Sequence, residues 1–214
     1  MKEIQIRKND AGQRLDRFVG KAVPLLPESL LQKYIRLKRI KRNGKGTKRD
    51  VRLVEGDVLQ LYINDEFFER PTEENAWLKI ATPRLDIVYE DENILLADKK
   101  PGVLCHSAGE WSWDTLISNI QAYLRQSGEW DPKAENAFTP ALCNRIDRNT
   151  GGIVIAAKNA EALRILNDKI RDREIDKAYL CVVCGRPKPA EGRLEGYLFK
   201  DAVKNQVYVT KKPQ

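Results

Sequence analysis

Apolar residues recur with two different periods along the chain, and each change of period marks a boundary between elements. Ile4 and Ile6 alternate within Glu3–Arg7, which predicts a short strand. Leu15, Phe18, Val19 and Ala22 fall at helical spacing, and Pro24 and Pro27 end that helix. Ser29 is placed to cap a second helix, which gathers Leu30, Leu31, Tyr34 and Ile35 on one face. Asn43-Gly44 signals a tight turn, Val51 and Leu53 alternate, and Glu55-Gly56-Asp57 turns into the strand VLQLYI. Residues 65–84 are mixed and acidic, hold Pro71 and Pro83 and show no clear period, so they are predicted to link two domains. Beyond them two apolar runs flank the acidic turn Glu90-Asp91-Glu92, and Lys99-Lys100-Pro101-Gly102 ends their pairing. Helical spacing returns over Thr115–Leu124 in Leu116, Ile117, Ile120 and Leu124. GIVIAA (Gly152–Ala157) predicts a buried strand, Asn159–Ile170 a helix carrying Ala162, Leu163, Leu166 and Ile170, and Lys177–Val183 a further strand.

Composition narrows the class. The 214 residues are 42% hydrophobic and 32% charged, enough apolar material for packed cores beneath a well-solvated surface. No run reaches the roughly 18 apolar residues of a membrane helix, and MKEIQIRKND lacks the apolar stretch of a signal peptide. A cytoplasmic protein with no membrane partner is expected. Cys105, Cys143, Cys181 and Cys184 are too few and too uneven for a disulfide framework. Cys181 and Cys184 form a lone CxxC, whereas zinc needs four ligands at suitable spacing, and the one histidine, His106, is far along the chain from them. The pair reads as two small apolar residues in a buried strand, and no metal site is expected.

The net charge of +7 is unevenly placed. Residues 1–64 hold 16 lysines and arginines against 7 acidic residues, a net of +9, while the remainder holds 22 against 24, a net of −2. Nine basic residues and no acidic one lie between Lys33 and Arg49. A solvated basic helix face would carry such charges, yet here they continue past the helix into the turn, and the rest of the chain does not share the bias. Several fixed cations are what a polyanion-binding surface needs, because each phosphate contact releases counterions. The segment QRLDRFVGKAVPLLPESLLQKYIRLKRIKRNGKGTKRDVRLVEGDVLQLYI resembles the αL-type (S-four-like) RNA-binding domain over about 50 residues: two short helices, a basic loop, and a strand entered through an EGD turn. The resemblance implies that residues 1–64 form such a domain. It also implies that the second helix and following loop lie on structured RNA through Lys33, Arg36, Lys38, Arg39, Lys41 and Arg42.

The densest chemistry is in Asn144-Arg145-Ile146-Asp147-Arg148-Asn149-Thr150-Gly151-Gly152, where an aspartate sits between two arginines before an apolar strand. Flanking cations favour the ionised carboxylate, which suits a nucleophile or base. The two glycines would let a substrate backbone approach closely. Taken alone, such an aspartate more often caps backbone N–H groups or forms a surface ion pair. The longer span NRIDRNTGGIVIAAKNAEALRILNDKIRDREIDKAYLCVVCGRPKP resembles the signature of the RluA-type pseudouridine synthases, and YEDENILLADKKPGVLCHS resembles their preceding motif. With the αL-type segment, the likeness covers nearly the whole chain. It implies an α+β fold in which a small basic domain precedes a catalytic domain over residues 85–214, built on a mixed, largely antiparallel sheet with flanking helices. It further implies Asp147 as the essential aspartate and Arg145 as the arginine that contacts RNA as the target nucleotide leaves its helix. Tyr179 is implied as the tyrosine that stacks on uracil, and Lys177 as the lysine beside it. His106 aligns with a family histidine for which a structural role is expected.

The reaction so implied is isomerisation of uridine to pseudouridine, with ribosomal RNA of the large subunit favoured over transfer RNA. It requires no cofactor and no obligate protein partner. Asn144 stands where the family usually has histidine, and Gly151 where it has serine. Family members continue with a Gly-Arg-x-His-Gln-Ile-Arg motif whose arginine pairs with the aspartate, whereas this chain ends at VTKKPQ. The expectation is therefore an incomplete catalytic domain, with an RNA-binding or ribosome-assembly protein derived from a synthase as the alternative.

Overall fold

The computed structural model describes residues 1–68, 77, 80–107, 114–201, 204 and 206–212. They fall into two compact units, Met1–Ile175 and Asp176–Gln214. The first unit opens with β1 (Lys2–Gln5), α1 (Leu15–Ala22), α2 (Glu28–Arg36), β2 (Ile40–Arg42), β3 (Lys45–Gly46) and β4 (Val58–Leu61). The strands pair antiparallel in the order β1-β4-β2-β3. The helical stripes read from the sequence bury Leu15, Phe18, Val19, Leu31, Tyr34 and Ile35, and strand alternation turns Ile40, Leu59 and Leu61 onto them. Asn43 and Gly44 take φ values of 51° and 77°, the left-handed pair that a two-residue hairpin between β2 and β3 requires.

One local expectation changes here. Ser29 lies inside the first turn of α2 and is not its cap, because Pro27 occupies that position with φ −59° and its carbonyl already accepts the N–H groups of Leu30 and Leu31. The EGD turn, in contrast, is held from within. Asp57 is 6% exposed, accepts hydrogen bonds from the Val54 N–H and the Asn43 amide at 2.8 Å each, and lies 2.7 Å from Arg42 Nε as an ion pair. Burial pushes the Asp57 carboxyl up, but Arg42, the Val54 N–H and Asn43 together outweigh it and hold it below the ordinary aspartate value.

The first unit continues with β5 (Ile87–Glu90), β6 (Ile94–Lys99), α3 (Leu116–Gln126), β7 (Ala141–Leu142), β8 (Gly152–Ala157) and α4 (Ala160–Arg171). A second antiparallel sheet, in the order β5-β6-β8-β7, packs Leu95, Ala97, Val154 and Ala156 against Leu116, Ile120 and Leu124 of α3. Thr115 caps α3 by accepting the Ser118 N–H at 3.2 Å, and Asn159 caps α4 by accepting the Ala162 N–H at 2.9 Å. The two apolar cores share no residue. The fold is α+β, and every pairing among the described strands is antiparallel.

The second unit holds the hairpin β9 (Tyr197–Asp201) and β10 (Gln206–Thr210). The strand expected over Lys177–Val183 does not form among the described residues. Apolar alternation is only half of a strand; the other half is a hydrogen-bonded neighbour, and no described segment pairs with this one. Cys181 and Cys184 are consequently exposed rather than buried.

One charged side chain joins the second sheet to its loops. The alternation of β6 carries Lys99 to the interior, where it is 1% exposed. Its ammonium donates to the carbonyls of Lys100 at 3.2 Å, Val103 at 2.9 Å and Arg148 at 3.0 Å. An ammonium has three donors, and all three are used. Lys99→Met keeps the bulk but leaves those carbonyls without their donor, so urea unfolding is expected to show a loss of about 3 kcal/mol. A loss below about 0.5 kcal/mol would show that water replaces the ammonium freely.

Candidate active site and nucleic-acid interface

The segment between β7 and β8 is anchored at Cys143, Asn144, Ile146 and Arg148. Cys143 N–H donates to the Ile155 carbonyl at 2.7 Å. The Asn144 amide oxygen accepts the Ile155 N–H at 2.8 Å, so the residue that departs from the family histidine is engaged with β8. The Ile146 carbonyl accepts the Cys105 thiol at 3.4 Å. The Arg148 carbonyl receives both the Lys99 ammonium at 3.0 Å and the Gly102 N–H at 2.8 Å, and the Arg148 Nε returns a bond to the Gly102 carbonyl at 3.1 Å. Between these anchors Arg145 and Asp147 are exposed. Asp147 has no ion pair among the described residues, so its carboxylate is presented to solvent.

The loop's electrostatic surroundings come from across the turn. Desolvation and the Arg145 guanidinium both push His106 below its ordinary value. Gly151 serves packing rather than substrate approach: a Cβ there would meet Pro101 Cδ at 3.2 Å and the Lys99 carbonyl at 3.5 Å. Gly152, at φ 134°, faces open space and takes a conformation that side chains rarely adopt. Lys100, the other lysine of the pair, is on the surface and bridges Asp86 at 2.8 Å and Asp98 at 2.6 Å. The sequence reading missed Lys99. The signal was available, since a lysine in the inward register of an apolar strand must be paired.

The six basic residues singled out in the first domain are not equivalent. Lys33, Arg36, Lys38 and Arg39 are exposed, and the Arg39 guanidinium stands 5.3 Å from the centre of the Tyr34 ring. Lys41 lies 5.1 Å from the Tyr62 ring. Arg42 is the exception, half-buried and committed to Asp57. Arg36 and Lys38 line a groove of about 510 Å³ with Lys48 and Arg49, and Ile35 and Thr47 also line it. Lys48 and Arg49 belong to the basic tract but were not among the residues singled out. Fold geometry adds them, because the chain returning from β3 brings them opposite the end of α2. Four cations on one concave surface suit a chain of phosphates. In the second unit Lys177 is exposed and Tyr179 is 62% exposed.

Comparison with known proteins gives this arrangement a family. The RNA pseudouridylate synthase family matches residues 93–214, a span that takes in Lys99, the whole Asp147 loop and Tyr179. An uncharacterized RNA pseudouridine synthase of Mycoplasma capricolum subsp. capricolum is 33% identical over 84% of this chain and 58% of its own length. Another, of Mycoplasma genitalium, is 31% identical over 85% of this chain and 55% of its own length. The ribosomal large subunit pseudouridine synthase C of Vibrio vulnificus is 28% identical over 96% of this chain and 62% of its own length. The chain thus spans somewhat more than half the length of these relatives. With more than half of its residues matched, including the loop built around Asp147, the chain belongs to the RNA pseudouridylate synthase family.

Proposed function

We propose that this chain is a cytoplasmic synthase that isomerises uridine to pseudouridine in large-subunit ribosomal RNA, with Asp147 as its catalytic group. The observation that carries the reading is the exposed Asp147 carboxylate at the centre of a loop fixed on both sides, with Arg145 and Arg148 flanking it. The substrate class rests on relatives named as ribosomal large subunit pseudouridine synthases. Residues 1–64 act as an αL-type domain that grips the RNA, residues 65–84 as a linker and residues 85–214 as catalytic chain.

The chemistry asks little beyond positioning. Uridine must leave the base stack, at a cost of about a few kcal/mol. Stacking on Tyr179 and contacts from Arg145 and Lys177 offset that cost. Asp147 assists cleavage of the bond between N1 and the sugar C1′. The uracil turns in place, C5 bonds to C1′, the C5 proton leaves to solvent and N1 takes up a proton. Atoms and electrons balance with no oxidant, reductant or energy source.

Asp147→Asn removes the anionic carboxylate at nearly constant shape. Chemical mapping of pseudouridine in an incubated ribosomal RNA transcript is expected to show product with the unaltered chain and none with the variant, while RNA affinity changes less than about twofold. Undiminished product from the variant would sink the assignment of Asp147, and RNA binding without product from the unaltered chain would favour an RNA-binding protein derived from a synthase. The groove makes a separate prediction. Replacing Arg36, Lys48 and Arg49 together by alanine should reduce the slope of log affinity against log salt by about 2–3. An unchanged slope would place the RNA elsewhere.

A further inference from the structure

The first domain is docked onto the catalytic region through a polar seam. Its turn at residues 9–12 faces two separate stretches of the second half of the same unit, residues 135–136 and α4. The Asn9 amide donates to Glu135 Oε1 at 2.7 Å, while its oxygen accepts the Ala160 N–H at the start of α4 at 3.3 Å. The Asn136 amide donates to the Gln5 carbonyl at 2.9 Å and to Asp10 Oδ2 at 2.7 Å. Arg164 of α4 donates to the Ala11 carbonyl at 2.9 Å. Its guanidinium lies 3.5 Å from where a Cβ at Gly12 would be, and Gly12 takes φ 76°, a conformation that favours glycine. Asp10 is fully buried. Beside these bonds Ala137 packs on the first domain's apolar core.

Hydrogen bonds fix direction as well as distance, which an apolar contact of the same size does not. The seam grips through two separate stretches, residues 135–137 and α4, so the first domain cannot swivel about either without breaking the bonds to the other. Asn136 is also eleven residues before Asp147, and the chain between them runs directly through β7 into the anchored loop.

We infer that Asn9, Asn136 and Arg164 are specificity-determining positioning residues: they hold the basic groove at one fixed placement relative to Asp147, so that a uridine is selected by its position from the phosphates the groove grips. The choice of uridine rests on the synthase reading above; the fixed placement does not. Affinity and register are then separable properties, the first set by the groove cations and the second by the seam.

A photo-crosslinking residue introduced at exposed Asn149 reports which nucleotides lie beside the Asp147 loop, whether or not chemistry follows. With an unmodified large-subunit ribosomal RNA transcript, the otherwise unaltered chain is expected to crosslink to a few neighbouring nucleotides. In the Asn9→Ala/Asn136→Ala/Arg164→Ala variant, affinity should stay within about twofold while the yield at those nucleotides falls at least about fivefold and spreads along the RNA. Asn136→Ala alone, the milder change, should give an intermediate spread, and it serves as the test if the triple variant does not fold. An equally focused pattern in the variants overturns the inference, as does a diffuse pattern from the unaltered seam. A focused pattern that the seam controls, with no pseudouridine at the crosslinked site after incubation with the chain that retains Asn149, would leave the placement standing and overturn the synthase reading instead.

Discussion

The buried ammonium of Lys99 is the constraint on which the arrangement around Asp147 depends. A charge taken from water must recover its lost hydration, and here it does so from three carbonyls on two separate loops. Because the donors are all used, the Lys100–Val103 turn and the Arg148 carbonyl are held to one centre. The Gly102 N–H bond to the Arg148 carbonyl and the return bond from Arg148 Nε then close the same junction. Asp147 itself has no part in this anchoring. Its carboxylate stays exposed while its neighbours carry the structural work.

The same division of labour runs through the basic domain. Arg42 is charged like the other residues of its tract, but Asp57 claims it, and together they hold the turn that feeds β4. Arg36, Lys38, Lys48 and Arg49 have no such acidic partner among the described residues and converge on a groove. Net charge alone would count all of these cations as one surface. Burial separates Arg42, which helps build the domain, from the cations left exposed to solvent.

How much of this was legible followed from how far each feature reaches along the chain. Helices α1, α3 and α4 and the GIVIAA strand were read within a residue or two, because their apolar periods and caps are local. Ser29 failed as a cap because Pro27, two residues earlier, already supplied the helix start. The strand at Lys177–Val183 failed because pairing depends on a distant partner that alternation does not reveal. Cys181 and Cys184 were misplaced with it. At Gly151 the composition was read correctly and the cause was not: the close approach is by Pro101 of the same chain. Asp147, Arg145 and Tyr179 are proposed through resemblance to a family signature, since an aspartate between arginines is not by itself diagnostic. Lys99 was within reach, in the inward register of β6, but its partners lie up to 49 residues away.

The central claim is that a bond from carbon replaces the bond from nitrogen at the sugar, and the C5 hydrogen of uridine records that event directly. Incubating the chain with ribosomal RNA that carries tritium at uridine C5 should release tritium to water, reaching a plateau of one equivalent for each target uridine. Release no greater than in a protein-free control, under conditions where the RNA is demonstrably bound, would contradict it.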